Sequence, residues 1–308
     1  MSAPSNAADG PLEGPLEGPL EGPLEGPLEG PLEGPLEGPL GGALSPDERD
    51  GGSPALTWLD EDLLRDGVRQ RRFDVLRAGR RIPGLLWTPA EGEGPRPLVL
   101  LGHGGSGSKR QDYVVAMARR LVHDHGISAA AIDGPVHGDR RAGPPAPSAL
   151  VLAEFAQLWA NDGDAMTDGI VADWIASLDA LQSLPDVGNG PVGWWGFSMG
   201  TITGLPVVAA DGRFRAAVLG LMGFTGPTRE RIARDAPRVR CPVLFFVQWD
   251  DVMFPHDLAI RLWEALGSRE KRLVANPGGH GELPPDVLET SAQFLAAHLA
   301  DDRTEQEC

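Results

Sequence analysis

From residue 73 onward, short apolar runs alternate with segments whose apolar residues recur at helical spacing. The runs are too short for helices and are bounded by turn-forming residues, so they predict strands. Most are apolar on both faces and are separated by predicted helices, which is typical of a mostly parallel sheet covered on both sides. We predict about eight strands, at residues 73–77, 80–87, 97–101, 127–132, 191–195, 216–221, 242–248 and 271–275, with the first two joined as an antiparallel hairpin at Gly79.

The intervening segments predict helices at 112–124, 149–159, 164–184, 255–266 and 285–299. The helix at 149–159 follows a proline-rich loop and fits neither side of the predicted sheet. We therefore predict that residues 139–163 form a small helical cap over a site. The alternative interpretation is a peripheral surface helix.

The first 52 residues differ in composition from the rest of the chain. Residues 10–37 are seven copies of Gly-Pro-Leu-Glu, and residues 1–52 contain eleven acidic residues and one basic residue. A proline at every fourth position blocks helices and strand ladders, and one leucine per repeat cannot offset the entropy of ordering the chain. We predict a disordered tail at 1–52, either a repeat expansion without function or a spacer or docking arm, and one α/β domain at 53–308.

Composition argues against several classes of function. The net charge is −17, of which the tail carries −10, and no cluster of Lys and Arg with interleaved aromatic residues suggests a nucleic-acid surface. Cys241 and Cys308 make no disulfide framework. No apolar run approaches the ~20 residues that span a bilayer, and the N-terminus lacks a signal-peptide pattern. We expect a soluble, cytoplasmic protein without nucleic-acid or membrane partners, and the sequence leaves its oligomeric state open.

The segment Gly196-Phe197-Ser198-Met199-Gly200 lies between a predicted strand and an apolar helical stretch. A strand-to-helix turn this tight strains the serine backbone and needs small residues two positions to either side, where the chain passes close to itself. The turn holds the hydroxyl at a helix N-terminus, whose dipole favours a developing negative charge. The motif is a common chance match elsewhere, but in this context it predicts that Ser198 is a nucleophile.

A serine nucleophile needs a histidine base, which follows the serine in the chain in this kind of site. Three histidines follow Ser198. His298 falls within the last predicted helix, and His256 follows a proline at the start of another. His280 lies in a glycine-rich loop after the last predicted strand, at the sheet edge where Ser198 also emerges, and we predict that it is the base.

The base in turn needs a carboxylate that orients it, placed between the serine and the histidine. Asp250 and Asp251 both follow the predicted strand at 242–248. We favour Asp251 because Pro255 lies four residues after it and starts a helix. Asp250 remains the alternative.

The segment Leu101-Gly102-His103-Gly104-Gly105-Ser106-Gly107 follows an early strand and predicts an oxyanion hole. Its glycines let the backbone approach a ligand closely. The N–H of Gly104 or Gly105, together with that of Met199, would point at a carbonyl oxygen. A phosphate cradle is the competing interpretation, but no Gly-Lys-Ser/Thr follows at the required spacing.

Taken together, these motifs resemble those of a known family. They are His-Gly-Gly-x-Gly at 103–107, Asp133-Gly-Pro-x-His137-Gly-Asp-Arg140, Gly-Phe-Ser-Met-Gly, Asp251-x-x-x-Pro and Gly279-His280-Gly, in this order. The chain resembles α/β-hydrolases of the dienelactone-hydrolase or acetyl-esterase-like group over roughly residues 72–300. The resemblance implies an α/β-hydrolase fold and a carboxylic-ester hydrolase that works through an acyl-enzyme. It also implies that Asp133, His137 and Arg140 brace a loop. The dienelactone hydrolases themselves have a cysteine where this chain has Ser198.

The substrate is less clearly indicated by the sequence. We expect a small-molecule ester whose apolar or aromatic group contacts His103, Trp159, Trp195 and Trp249, although each tryptophan could equally pack in the core. We expect no metal and no cofactor. A thioesterase, a peptidase or a carbon–carbon hydrolase of the same fold remains open, as does a binding protein without catalysis.

Overall fold

The computed structural model describes residues 55–59, 62–92, 94–143 and 146–300. The predicted tail at 1–52 lies outside the described residues, and its disorder stays a prediction. So does the division of the chain at residue 53.

In the described part of the chain the sheet contains ten strands, where about eight were predicted. Six neighbouring strands are parallel, and the strands at the other end pair antiparallel. Their order across the sheet is β1-β3-β4-β6-β5-β7-β8-β9-β10, with β2 paired to β3. The strands are β1 (Ala55–Trp58), β2 (Leu63–Arg65), β3 (Val68–Arg77), β4 (Arg80–Pro89), β5 (Leu98–Gly102), β6 (Ser128–Ile132), β7 (Val192–Gly196), β8 (Phe214–Gly220), β9 (Val243–Gln248) and β10 (Lys271–Asn276).

Helices cover both faces of this sheet, as predicted for its apolar strands. The helices are α1 (Asp112–His125), α2 (Ser148–Gln182), α3 (Met199–Ala210), α4 (Arg229–Asp235), α5 (His256–Ala265) and α6 (Val287–Leu299). The buried side chains of α1 and α6 pack on one face, and those of α2, α3, α4 and α5 pack on the other. Within the described residues, no helix is long and apolar enough to cross a membrane.

The two helices predicted at 149–159 and 164–184 form the two halves of α2, which are separated by a kink at residue 162. Asp162 has φ −159° and ψ 86°, and its side chain accepts a hydrogen bond from the N–H of Ala165 at 3.0 Å. Asp162 therefore caps the second half of α2, as an aspartate at a helix start commonly does. The first half of α2 lies over the loop after β5. A Cβ added to Gly105 in this loop would be only 2.6 Å from the side chain of Leu152. This position agrees with the proposed cap, whose role stays a prediction.

Parallel strands bring four loops of distant sequence to one edge of the sheet. The loops follow β5, β7, β9 and β10, whose carboxyl ends all lie on that side. Candidate ligand sites in open α/β sheets lie at this edge.

Candidate active site

Ser198 occupies a sharp turn between β7 and α3. Its backbone has φ 55° and ψ −120°, a region that residues with a Cβ rarely adopt. The turn is held in place because the N–H of Ser198 donates to the carbonyl oxygen of Gly220, at 3.0 Å. The strained serine lies at the N-terminus of α3, as the sequence pattern predicts.

The glycines on either side of Ser198 are required by close backbone packing. A Cβ on Gly196 would lie 2.9 Å from the carbonyl oxygen of Gly200. A Cβ on Gly200 would lie 2.5 Å from the carbonyl oxygen of Gly102, at the end of β5. Both distances are below normal van der Waals contact. A larger residue at 196 would push β7 away from α3, and one at 200 would push α3 away from β5.

The structure brings Ser198, His280 and Asp251 into one hydrogen-bonded line. The Ser198 hydroxyl oxygen is 3.0 Å from Nε2 of His280, and Nδ1 of His280 is 2.7 Å from Oδ2 of Asp251. Both distances fit hydrogen bonds. Ser198 is 8% exposed, and the Asp251 carboxylate is buried. An arrangement of hydroxyl, imidazole and buried carboxylate can activate the hydroxyl as a nucleophile.

The structure also shows which of the two neighbouring aspartates contacts His280, a choice that the sequence leaves open. Oδ1 of Asp251 accepts the N–H groups of Met253 and Phe254, at 2.8 and 3.0 Å, which leaves Oδ2 for His280. The carboxylate of Asp250 instead accepts the N–H of Gly278 at 3.0 Å. The geometry therefore favours Asp251 as the partner of His280. Asp250 instead binds the backbone of the loop that carries His280.

Two backbone N–H groups are available near Ser198, and both are among those that the sequence predicts. The N–H groups of Met199 and Gly105 donate to no other group in the described part of the chain. Gly104 differs, because its N–H donates to the hydroxyl of Tyr113 at 2.5 Å. Of the two glycines predicted as alternatives, Gly105 thus has the available N–H, whereas that of Gly104 is already used.

The peptide between Gly104 and Gly105 has a fixed orientation. The carbonyl oxygen of Gly104 accepts hydrogen bonds from Nδ1 of His103, at 2.8 Å, and from the N–H of Gly107, at 3.1 Å. Because N–H and C=O point in opposite directions across a trans peptide, these bonds aim the Gly105 N–H away from them. Nε2 of His137 lies 2.7 Å from the carbonyl oxygen of Gly105 and braces the next peptide.

His103 is a brace of this loop rather than a contact for substrate. The ring is 2% exposed, and Nε2 accepts the N–H of Gly134 at 3.0 Å, so both ring nitrogens have backbone partners. Burial, with a smaller contribution from His137, lowers the pKa of His103 to about 4. The ring is therefore neutral at pH 7, and the prediction that it binds substrate is wrong.

Several known proteins are similar to this chain. Residues 146–276 match the dienelactone hydrolase family. A cold-adapted esterase from an Arctic intertidal metagenomic library, solved in complex with PEG, is 40% identical, with a TM-score of 0.70 over 79% of this chain and 99% of that one. No curated protein gives a match.

The chain belongs to the dienelactone hydrolase family of α/β-hydrolases. The predictions of that family and of a hydrolase acting on carboxylic esters are confirmed. More distant structures share the fold. The acetyl xylan esterase of Paenibacillus sp. R4 is 18% identical with a TM-score of 0.62, over 80% of this chain and 89% of that one. That of Thermoanaerobacterium sp. JW/SL YS485 is 16% identical with a TM-score of 0.60, over 82% and 90%.

In this α/β-hydrolase the three tryptophans proposed to contact substrate have different environments. Trp195 is fully buried on the α1/α6 face of the sheet, beside Tyr113 and Phe197, so its proposed contact is wrong. Trp159 is 4% exposed and packs on Phe155, 4.1 Å between ring centres. Trp249 is 48% exposed, and its indole stacks on the ring of His256 with 4.1 Å between the ring centres.

Several supporting residues of this α/β-hydrolase lack a recognisable sequence signal. The hydroxyl of Thr201 bonds to both backbone groups of Gly220, at 2.7 and 2.9 Å, and so ties the serine turn to β8. Lys109 and Asp133 form a buried ion pair between the loops after β5 and β6. A single lysine in a loop, or a single threonine in a helix, has no spacing that would have marked it in advance.

The described residues contain no group of three or more His, Cys, Asp or Glu side chains arranged to hold a metal ion. His123 and His125, which are close in sequence, lie at the end of α1.

Proposed function

We propose that this α/β-hydrolase cleaves carboxylic esters in two steps, through an acyl-enzyme on Ser198. The observation that carries the proposal is the position of the His280 ring, with Nε2 3.0 Å from the Ser198 hydroxyl and Nδ1 2.7 Å from Asp251. Membership of a hydrolase family and 40% identity to an esterase support the ester as substrate.

In the first step, the Ser198 oxygen forms a bond to the acyl carbon while its proton passes to Nε2 of His280. Asp251 holds the ring in the tautomer with the proton on Nδ1 and stabilises the imidazolium that forms. The negative charge on the carbonyl oxygen lies against the N–H groups of Met199 and Gly105. The ester C–O bond then breaks, and the leaving alcohol takes the proton from His280.

In the second step, water repeats the attack on the acyl-enzyme. His280 removes a proton from the water as its oxygen bonds to the acyl carbon, and the same two N–H groups hold the charge. When the bond to Ser198 breaks, the serine oxygen regains a proton from His280 and the carboxylic acid leaves. The net reaction consumes one water for each ester.

Apolar side chains next to the triad support a substrate with an apolar group. Val252 and Met253 directly follow Asp251 and are 94% and 37% exposed, and Trp249 precedes it. Exposed apolar side chains clustered beside a polar site favour an apolar ligand. A series of p-nitrophenyl esters, from acetate to long acyl chains, measures the preferred size, and a uniform decline in kcat/KM from acetate onward would contradict an apolar preference.

A fluorophosphonate probe separates this proposal from a binding protein whose triad is a remnant. The probe reacts with a serine that is activated by its base, so we expect one adduct, on Ser198, by mass spectrometry. His280→Ala should slow labelling strongly, whereas His256→Ala, which alters a histidine outside the triad, should not. Absence of labelling in the folded wild-type protein would favour the remnant.

A further inference from the structure

A buried amide at the end of β9 contacts the loop that carries His280. Gln248 is the last residue of β9 and is 1% exposed. Its Nε2 donates to the carbonyl oxygen of Glu282 at 2.6 Å and lies 3.3 and 3.4 Å from those of Pro277 and Gly279. Its Oε1 accepts from Nδ2 of Asn276 at 3.1 Å. The two N–H bonds of the amide are thus shared among carbonyl oxygens on both sides of His280.

Contacts from outside the loop are needed to fix its conformation, because its glycines allow the backbone to adopt several conformations. Pro277 is followed by Gly278 and Gly279, and Gly278 has φ 104°, where glycine is favoured. Asp250 holds one side of the loop, since its carboxylate accepts the N–H of Gly278 and its own N–H donates to the Gly278 carbonyl, both at 3.0 Å. Gln248 provides a donor for the carbonyl groups of Pro277, Gly279 and Glu282.

We propose that Gln248 is a positioning residue for the reaction at Ser198 and acts through His280. This inference rests on the proposed function, because it assigns Gln248 no contact with substrate. A displacement of about 1 Å in a reacting group can cost on the order of 100-fold in rate, and the histidine ring must keep both Ser198 and Asp251 within hydrogen-bond distance.

The chemistry of the contacts explains why an amide suits this position. Carbonyl oxygens on both sides of His280 face Nε2, so the side chain must donate there, while Asn276 needs an acceptor. A hydrocarbon of the same size would leave buried polar groups unpaired, and an ionised carboxylate would repel the carbonyl oxygens.

The first test compares Gln248→Met with Gln182→Met. Gln182 serves as a control because it is a partly buried glutamine that is hydrogen-bonded to Arg213 and Gly190 but lies at the end of α2, outside the site. We expect Gln248→Met to lower kcat by roughly 10- to 100-fold with KM within twofold, and Gln182→Met to leave both unchanged. Wild-type kcat in a folded Gln248→Met protein would overturn the proposal.

The second test asks whether Gln248 acts through His280. Rates of fluorophosphonate labelling are measured for Gln248→Met, for His280→Ala and for the double variant. If Gln248 only positions the ring, its replacement slows labelling in the wild type and has no further effect once the ring is gone. An equal loss in both backgrounds would show a general structural role and overturn the proposal.

The outcomes also separate this inference from the proposed function. Wild-type turnover in His280→Ala would contradict both. Loss of turnover in His280→Ala with wild-type kcat in Gln248→Met would contradict only the role of Gln248. Should Gln248→Met fail to fold, Gln248→Glu keeps the shape and the acceptor but loses the donor when ionised. Burial among carbonyl oxygens would raise the pKa of this carboxyl group, so we expect kcat of Gln248→Glu to fall relative to the wild type as the pH is raised, and wild-type kcat at every pH would overturn the proposal.

Discussion

At the scale of single residues, the arrangement depends on how each hydrogen-bonding group is used. Asp251 offers one carboxylate oxygen to the backbone and the other to His280. Asp250 is committed to Gly278. The sequence could place both aspartates after β9, but their side-chain directions depend on the backbone turn, which residue types alone do not determine. Likewise, the sequence does not indicate that the hydroxyl of Tyr113, on α1, accepts the hydrogen bond of the Gly104 N–H.

The two aspartates can be separated by comparing Asp250→Asn with Asp251→Asn. We expect Asp251→Asn to lower kcat by on the order of 10⁴, because the amide would stabilise the wrong tautomer of the histidine. Asp250→Asn keeps an acceptor for Gly278 and should cost far less. Steady-state kinetics on one ester measures both, and a larger loss at Asp250 would reverse the assignment.

Because His103 is buried, we expect the protein to lose stability in mild acid. Its pKa in the folded protein, about 4, lies below the ordinary histidine value of 6.5. The unfolded chain therefore binds more protons between pH 6.5 and pH 4, and stability falls as the pH falls through this range. The contribution lost at pH 5 is about 2 kcal/mol.

Urea unfolding at pH 7 and pH 5 measures this effect. His103→Gln should reduce the difference between the two pH values, whereas the exposed control His123→Gln should keep it. An unchanged difference in His103→Gln would show that the acid sensitivity arises elsewhere.

At the scale of elements, the sequence predicts buried strands better than exposed ones. Strands with continuous apolar runs, such as β5 and β9, lie within a residue or two of their predicted bounds. β1 and β2 were missed because they are short and largely exposed at the sheet edge, so tertiary pairing with β3 rather than an apolar pattern defines them. The short α4 was missed as well.

The turn between β7 and α3 predicts a contrast between two helical glycines. Gly200→Ala should destabilise the protein by on the order of 3 kcal/mol, because the added methyl group would meet the backbone of Gly102. Gly169 in α2 has open space around it, so Gly169→Ala should be neutral or stabilise by up to about 1 kcal/mol. Denaturant unfolding measures both, and equal stabilities would contradict the close packing described here.

At the scale of the whole molecule, the candidate site depends on the complete sheet. Its groups come from loops after β5, β7, β9 and β10, which are neighbours only because the strands pair across the sheet. The order of the motifs along the chain made this convergence predictable. The exact contacts of the histidine loop were not, because they join residues 28 to 34 positions apart.

The composition of residues 1–52 predicts that the reaction does not depend on them. The triad and both proposed oxyanion donors lie within residues 105–280. We expect a protein that starts at Leu56 to keep the kcat and the melting temperature of the full chain, because the repeat has too little apolar surface to offset the entropy of ordering it. A several-fold fall in kcat, or a melt lowered by many degrees, would show that the segment packs on the domain.

The central claim is that Ser198 is the nucleophile, and its most direct test is the turnover of Ser198→Ala on a p-nitrophenyl ester. We expect a loss of kcat on the order of 10⁶, with a melting temperature close to that of the wild type. Purification from a host whose own esterases are removed controls for contamination. Turnover near the wild-type value in the purified variant would place the nucleophile elsewhere.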